Sequence, residues 1–287
     1  MIATCSVDIS YNLRASQLHK NNSTYELLNV DHDDIIQRHV KYMNDHDISI
    51  DSNMMKLPSF YALPKMHKPI PKMRFIAASN RCTTTRLSSI ITSCLKLVTL
   101  QHRKLCHTIF RRTGVNRMWI VDNHTPVLNR ITEFNESDEK GDKPKNVSSY
   151  DFSTLYTNIP HDLLKQQFEW ILDKAFYNNT KKYMYVDDYR ATWYKRSNTV
   201  RIDRNTLLKH ICFLIDNIYI KVGDLILRQI VGIPMGTNCA PFLANLYLYS
   251  LEYAFLDKAA KKNIYFARKF SSCSGILTIY LPLITII

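Results

Sequence analysis

The chain has 287 residues, 46% of them hydrophobic and 22% charged, which excludes a disordered protein and leaves a globular one with room for a large core. Lys and Arg outnumber Asp and Glu by 38 to 25, and the excess is gathered in "QHRKLCHTIFRRTGVNR", "WYKRSNTVRIDR" and "KAAKKNIYFARK". Charge grouped in this way attracts a polyanion such as nucleic acid, although by itself it also fits a solvated basic surface.

Seven scattered cysteines with no Cys-x-x-Cys pair read as reduced thiols of an intracellular protein. His102, Cys106 and His107 lack a second ligand pair at finger spacing and read as surface helix residues rather than zinc ligands. The N-terminal "MIATCSVDIS" has neither a basic start nor an apolar run, so nothing marks it for secretion. The uncharged end "GILTIYLPLITII" is too short for a membrane span, which needs about 20 apolar residues. A nuclear or cytoplasmic protein without a membrane partner is expected.

In chain order, "YALPKMHKPIPKMRFIAAS" interleaves Lys65, Lys68, Lys72 and Arg74 with prolines and apolar residues. Prolines hold such segments extended while the cations point one way, a layout suited to gripping phosphates; a solvated loop fits the same string. Leu87, Ile90, Ile91, Cys94, Leu95 and Val98 keep helical spacing up to Gly114, which predicts a long amphipathic helix. The polar connector 135–146 reads as a loop inside one mixed α/β domain, leading into strand and turn in "VSSYDFSTLY". Pro160 and Asp162 open a helix that carries Leu164, Phe168, Ile171, Leu172 and Ala175 on one face. Residues 177–204 read as an irregular polar insertion before a helix at 205–217. "YIKVGDLILRQI" is a hairpin around Gly223 and Asp224, and Thr237 or Asn238 is placed to cap a helix through "FLANLYLYSLEYAFL".

Two positions suggest chemistry. Asp151, at a strand end beside a turn, suits a Mg²⁺ ion that keeps waters and substrate phosphates as its other ligands; a helix cap is the plainer account. Gly232 and Gly236 flank a proline in a protein with only six glycines. They let backbone approach a ligand, and the helix start behind them offers free N–H groups to an anion; an ordinary turn would use the same residues.

Together and in this order, these strings resemble the reverse transcriptases, most closely those of Penelope-like retroelements. "LPKMHKP" followed by "PKMRFIAAS" is similar to the fingers motifs, "DFSTLYTNIPHDLL" to motif A of the palm and "VGIPMGTNCAPFLANLYLYSLE" to motif B. The resemblance implies an α/β (α+β) right-hand polymerase. Residues 1–56 would be the N-terminal part of the fingers, read as clipped, 57–270 the fingers and palm, and 271–287 an apolar tail. Asp151 would be the first metal-binding aspartate, with the Phe152 carbonyl near the second metal and Tyr156 as the steric gate against a 2′-OH. Lys65 and Arg74 would grip the triphosphate of an incoming dNTP, and Met235 and Gly236 would line the nucleotide. Gly232, Pro234, Lys68, Lys72, Arg111 and Arg112 would meet the RNA template and DNA primer. Met235 stands where some relatives carry Gln, so that side chain offers no amide hydrogen bond. The implied cofactor is Mg²⁺, with Mn²⁺ as a substitute.

The family also carries Tyr-x-Asp-Asp on a hairpin after motif B. Tyr185, Val186, Asp187 and Asp188 spell it, but ahead of motif B and with flanks that read as polar and helix-compatible, so an exposed acidic turn is expected there. "GILTIYLPLITII" falls where the motif is due. Read from the third base of the Gly275 codon, its permitted codons allow TAT ATT GAC GAT TTA TTT ACC ATT AAT, which spells "YIDDLFTIN". A reading-frame shift is the favoured expectation; an apolar strand finishing the palm sheet is the alternative, and the two are compatible. The expected function is that of a fingers–palm piece of an RNA-directed DNA polymerase, a family of two-metal enzymes, with this chain inactive for want of the second carboxylate pair. The alternatives are a non-catalytic nucleic-acid-binding protein and a protein scaffold using the aromatic helix at 242–256.

Overall fold

The computed structural model describes residues 24–65, 72–136, 147–150, 152, 155–177, 181–187, 190–274 and 283–286. Its first half runs β1 (Tyr25–Leu28), α1 (His32–Asn44), β2 (Ser59–Lys65), β3 (Lys72–Ala78), α2 (Thr85–Thr113), α3 (Thr125–Glu136), β4 (Val147–Tyr150) and α4 (Leu155–Asn158). There follow α5 (His161–Tyr177), β5 (Tyr183–Val186), β6 (Ala191–Thr192), β7 (Val200–Asp203), α6 (Arg204–Asp216), β8 (Tyr219–Val222) and β9 (Leu225–Gln229). The last elements are α7 (Ala240–Lys262), α8 (Ile264–Arg268) and β10 (Leu283–Ile286).

The main core is helical. On α2, Leu87, Ile91, Cys94, Leu95 and Val98 are fully buried, as their spacing predicts. The helix stops at Gly114, whose φ of 70° is left-handed backbone that glycine adopts without strain. Leu164, Phe168, Ile171, Leu172 and Ala175 are the buried face of α5. Beside it lies α6, capped by Asp203, whose carboxylate accepts from the Thr206 N–H at 2.8 Å. Lys165 and Asp216 pair at one end of these two helices and Arg204 and Asp173 at the other, so α5 and α6 are antiparallel.

α7 packs against both α2 and α5, which also touch one another. His102 Nε2 donates to the Ile171 carbonyl at 2.9 Å, which leaves Nδ1 to accept from the Tyr249 hydroxyl at 3.0 Å. Burial holds this imidazole neutral, with its pKa down at about 4. His102 and Cys106 are thus core residues and not the surface positions expected from sequence, because the ring is satisfied internally across three helices. Cys239 N–H donates to Ser88 Oγ at 3.2 Å, so α2 and α7 begin side by side and run the same way toward the His102–Tyr249 contact.

A five-stranded sheet stands against this assembly in the order β1-β9-β8-β2-β3, antiparallel except where β2 meets β8. The β8–β9 hairpin turns at Gly223, φ 60°, as its sequence predicts. α1 covers one sheet face through Ile35 and Ile36 on Tyr219 and Ile226. The other face carries Tyr25, Ala77, Ile220, Val222 and Leu227, with Phe60 and Phe75 stacked at 5.3 Å.

Three expectations need correction. Residues 177–204 are not irregular: β5 is the centre of an antiparallel sheet in the order β6-β5-β7, and Met184, Val186 and Ile202 enter the main core. α7 is not capped by Thr237 or Asn238. It starts one residue later with Cys239 at the cap, because Thr237 Oγ1 is bound to Ser79 and the Asn238 amide to Ser89. Tyr185 and Val186 are strand and not helix, and Asp187 follows the strand, with Asp187 and Arg190 joined by mutual hydrogen bonds. In the tail, β10 pairs antiparallel with β4, Leu283 opposite Tyr150 and Ile286 opposite Val147, which is the strand alternative for residues 283–286. Residues 275–282, most of the connector (137–146) and Cys5 lie outside the described residues. The other six cysteines are free thiols, and no helix among the described residues is long and apolar enough to cross a membrane.

Candidate functional site

The loop between β9 and α7 joins the three sequence motifs. Its Gly232 N–H donates to the Ile159 carbonyl and its Ile233 N–H to the Tyr156 carbonyl, both at 2.7 Å. Three residues on, the Met235 carbonyl accepts from the Ala77 N–H of β3 at 2.8 Å. The Tyr156–Ile159 segment and the β2–β3 hairpin are therefore fastened to opposite ends of one short loop.

The two glycines make both junctions possible. A Cβ on Gly232 would lie 2.3 Å from the Tyr156 carbonyl oxygen, and one on Gly236 would lie 2.0 Å from the Ala77 oxygen. Both residues have positive φ, 89° and 113°. The close approach that the sequence suggests for a ligand is here an approach of the protein's own backbone. Two residues not singled out from sequence support the loop: His161 Nε2 donates to the Gly232 carbonyl at 2.7 Å, and the buried Gln229 amide donates to the Val231 carbonyl at 2.9 Å. Burial lowers the His161 pKa, which keeps this donor a neutral imidazole. His161 stands inside "DFSTLYTNIPHDLL"; no pattern in the sequence alone distinguishes it from a helix-opening polar residue.

Register sets where the cationic residues of the β2–β3 hairpin stand along the backbone. Lys65 is paired with Lys72, and Arg74 lies two residues further on the same face. The opposite face is the one whose Phe60, Phe75 and Ala77 are packed into the sheet core. Ile76 shares the face of Arg74, and its Cγ2 is 3.2 Å from the Cβ position of Gly236. The loop meets β3 at Ile76 and Ala77, about 10 Å along the strand from the backbone of Arg74. Tyr156 is half-buried against the main core, and burial raises its pKa, so the phenol is neutral; Phe152 is exposed.

No family model matches the chain, and no curated protein matches it. Among solved structures it is similar to telomerase from Candida albicans in complex with a TWJ fragment of telomeric RNA, at 11% identity over 87% of this chain and 42% of that one, TM-score 0.50. Apo telomerase from Candida tropicalis gives 15% identity over 86% of this chain and 42% of that one, TM-score 0.49. The fold is reverse-transcriptase-like. This chain spans less than half the length of the telomerase chains, and the fold assignment rests on the Candida albicans match.

Within this reverse-transcriptase-like fold the remaining candidates are dispersed. Asp151 and Lys68 lie outside the described residues. Arg111 and Arg112 are exposed in the last turn of α2, roughly 35 Å along its axis from the Ser88–Cys239 contact. The Tyr185–Asp187 hairpin belongs to the sheet at the Arg204–Asp173 end of the α5–α6 pair, whereas His161 and the loop are at the other end. Its position, rather than the helical flanks expected for it, separates it from the junction. Two divalent ions need several carboxylates. Residues 72–79, 152–160 and 230–239 contain no Asp or Glu, and no carboxylate side chain follows Asp257. Asp151 is the one acidic residue of the set that the resemblance implies. Among the described residues the one metal-compatible group, Asp31, His32 and Asp33, is mostly exposed at the start of α1, where Asp31 caps the helix.

Proposed function

We propose that this chain is the fingers and palm portion of an RNA-directed DNA polymerase of the Penelope-like type, and that the 287-residue chain holds an RNA–DNA template–primer without extending it. The observation that carries this reading is the pair of backbone junctions that fasten the Tyr156 segment and β3 to the loop holding Gly232 and Gly236. Around that loop Lys65 and Arg74 would take the triphosphate of a dNTP, with Lys68 and Lys72 on the template strand. Pro234 and Met235 would sit against the base pair, and Tyr156 would exclude a 2′-OH. Arg111 and Arg112 are about one duplex turn away, within reach of the far phosphates of a bound template–primer.

Asp151 and the Phe152 carbonyl would be the Mg²⁺ or Mn²⁺ ligands of the parent enzyme. With no second carboxylate pair the transition-state charge has nothing to hold the ions that would balance it. A lost base ahead of Gly275, which moves the Tyr-Ile-Asp-Asp codons out of frame, accounts for the missing pair. Fluorescence anisotropy with a labelled RNA–DNA template–primer tests the binding half. Affinity should fall steeply with KCl and weaken in Arg74→Ala; no binding at low salt, or binding indifferent to salt, defeats the reading. In the same tube dNTP and Mg²⁺ or Mn²⁺ should give no extended primer, and an extended product would overturn the inactive half.

A further inference from the structure

The β6-β5-β7 sheet has a second face that the polymerase reading leaves unused. Met184, Val186 and Ile202 point into the core, so their neighbours Tyr183, Tyr185 and Arg201 point outward. The Arg201 guanidinium lies over the Tyr183 ring at 4.5 Å, and at the sheet's edge Lys181 lies over Tyr194 at 5.3 Å. Tyr194 is 70% exposed although no core requires an aromatic ring there. From 181 to 204, seven Lys and Arg stand against three Asp. Asp203 is engaged as a helix cap and Asp187 in its own turn, while among the described residues no carboxylate pairs with Lys182, Lys195, Arg196 or Arg201.

We propose that this outer face is a binding platform for single-stranded nucleic acid, separate from the template–primer site. Tyrosine rings and the stacked Arg201 plane offer flat surfaces to bases, and the surrounding cations offer partners to phosphates. The geometry selects a single strand. Tyr183, covered by the Arg201 plane, and Tyr185 are about 6.6 Å apart along β5, twice the rise per base of a duplex, so a base on the Arg201 plane and one on Tyr185 are unstacked from one another. The face stands beyond the Arg204–Asp173 end of the α5–α6 pair, about 18 Å or more from the His161 end that supports the motif B loop. A strand held here is one that has not entered, or has left, the template–primer path; only this placement in the reaction rests on the polymerase reading.

The test uses the full chain with two labelled probes, an oligouridylate and an RNA–DNA duplex, each followed by anisotropy. Tyr185→Ala/Tyr194→Ala should weaken oligouridylate binding about tenfold or more while duplex affinity changes less than twofold. The conservative Tyr185→Phe/Tyr194→Phe pair should bind like the parent, since the rings are retained, and Arg201→Glu should lower the salt slope by about one. Arg74→Ala should do the reverse, weakening the duplex and sparing the single strand. Oligouridylate binding unchanged in the alanine pair, or lost equally in the phenylalanine pair, overturns the platform. A parent chain that binds oligouridylate but not the duplex would count against the polymerase reading and leave the platform standing.

Discussion

Replacing Gly236 by alanine probes the junction between the motif B loop and β3. The new Cβ would meet the Ala77 carbonyl oxygen at 2.0 Å and its carbon at 3.1 Å. These are backbone atoms, so no rotamer change relieves the contact; loop and strand must part by more than 1 Å, which opens the 2.8 Å bond from Ala77 N–H to the Met235 carbonyl. A lost backbone bond with a stranded partner costs about 1–2 kcal/mol, and an L-residue in left-handed backbone about 1–2 kcal/mol more. The total is on the order of 3 kcal/mol, against a whole-domain stability of roughly 5–15 kcal/mol. Gly223→Ala is the control, because φ there is also positive, 60°, but nothing lies within 4 Å of the added Cβ. It should cost only about 1 kcal/mol. Urea midpoints read by circular dichroism give both values, and amide exchange should show Ala77 losing protection in Gly236→Ala alone. Equal costs for the two substitutions, or an Ala77 amide as protected as in the parent, would refute the junction.

His102→Ala should destabilise the fold by about 2–4 kcal/mol in the same urea assay, because it empties a buried imidazole site and removes the two hydrogen bonds that tie α2 to α5 and α7. Acid should unfold the protein well above the carboxylate range. His39, His102 and His210 are buried with pKa values down from 6.5 to about 4, so between those values the unfolded chain binds protons that the folded one refuses. Their contribution is complete above pH 6.5 and drains away as pH falls to 4, on the order of 3 kcal/mol per histidine, and urea midpoints measured from pH 7 to pH 4 should fall accordingly. Sequencing the locus decides the frame proposal: the Leu277 codon must end in G, as TTG does, and Thr278 must be encoded by ACG, and any other third base at either position removes one of the two aspartates.

The parts legible in the sequence are those where one period or one residue type leaves a single physical solution. Leu164, Phe168, Ile171, Leu172 and Ala175 bury together because no other arrangement hides all five. Gly223 turns its hairpin because the backbone there needs positive φ. The insertion sheet was hidden by composition. In "YMYV" only Met184 and Val186 are apolar on the core face, and the tyrosines between them mask the alternation that marks a strand. His102 shows a second limit: whether an imidazole is solvated or locked between helices depends on an acceptor 69 residues away. The same holds for Gly232 and Gly236, whose need for space is visible in sequence but not what fills it.

The parallel course of α2 and α7 has an electrical consequence. Both helices start at the motif B loop, neither start has a side-chain cap, and their first turns are joined by the Cys239–Ser88 bond. The aligned peptide dipoles of each helix amount to about half a positive charge at its start, so the two together place roughly one unit there. α5 and α6, being antiparallel, largely cancel. The negative ends of the aligned pair lie beyond 30 Å away in the helix direction, roughly, where Arg111, Arg112, Lys261 and Lys262 occupy the last turns. This polarity is carried by the backbone alone. It does not titrate, it survives the removal of every lysine and arginine nearby, and it points toward the loop at any pH at which the two helices remain folded.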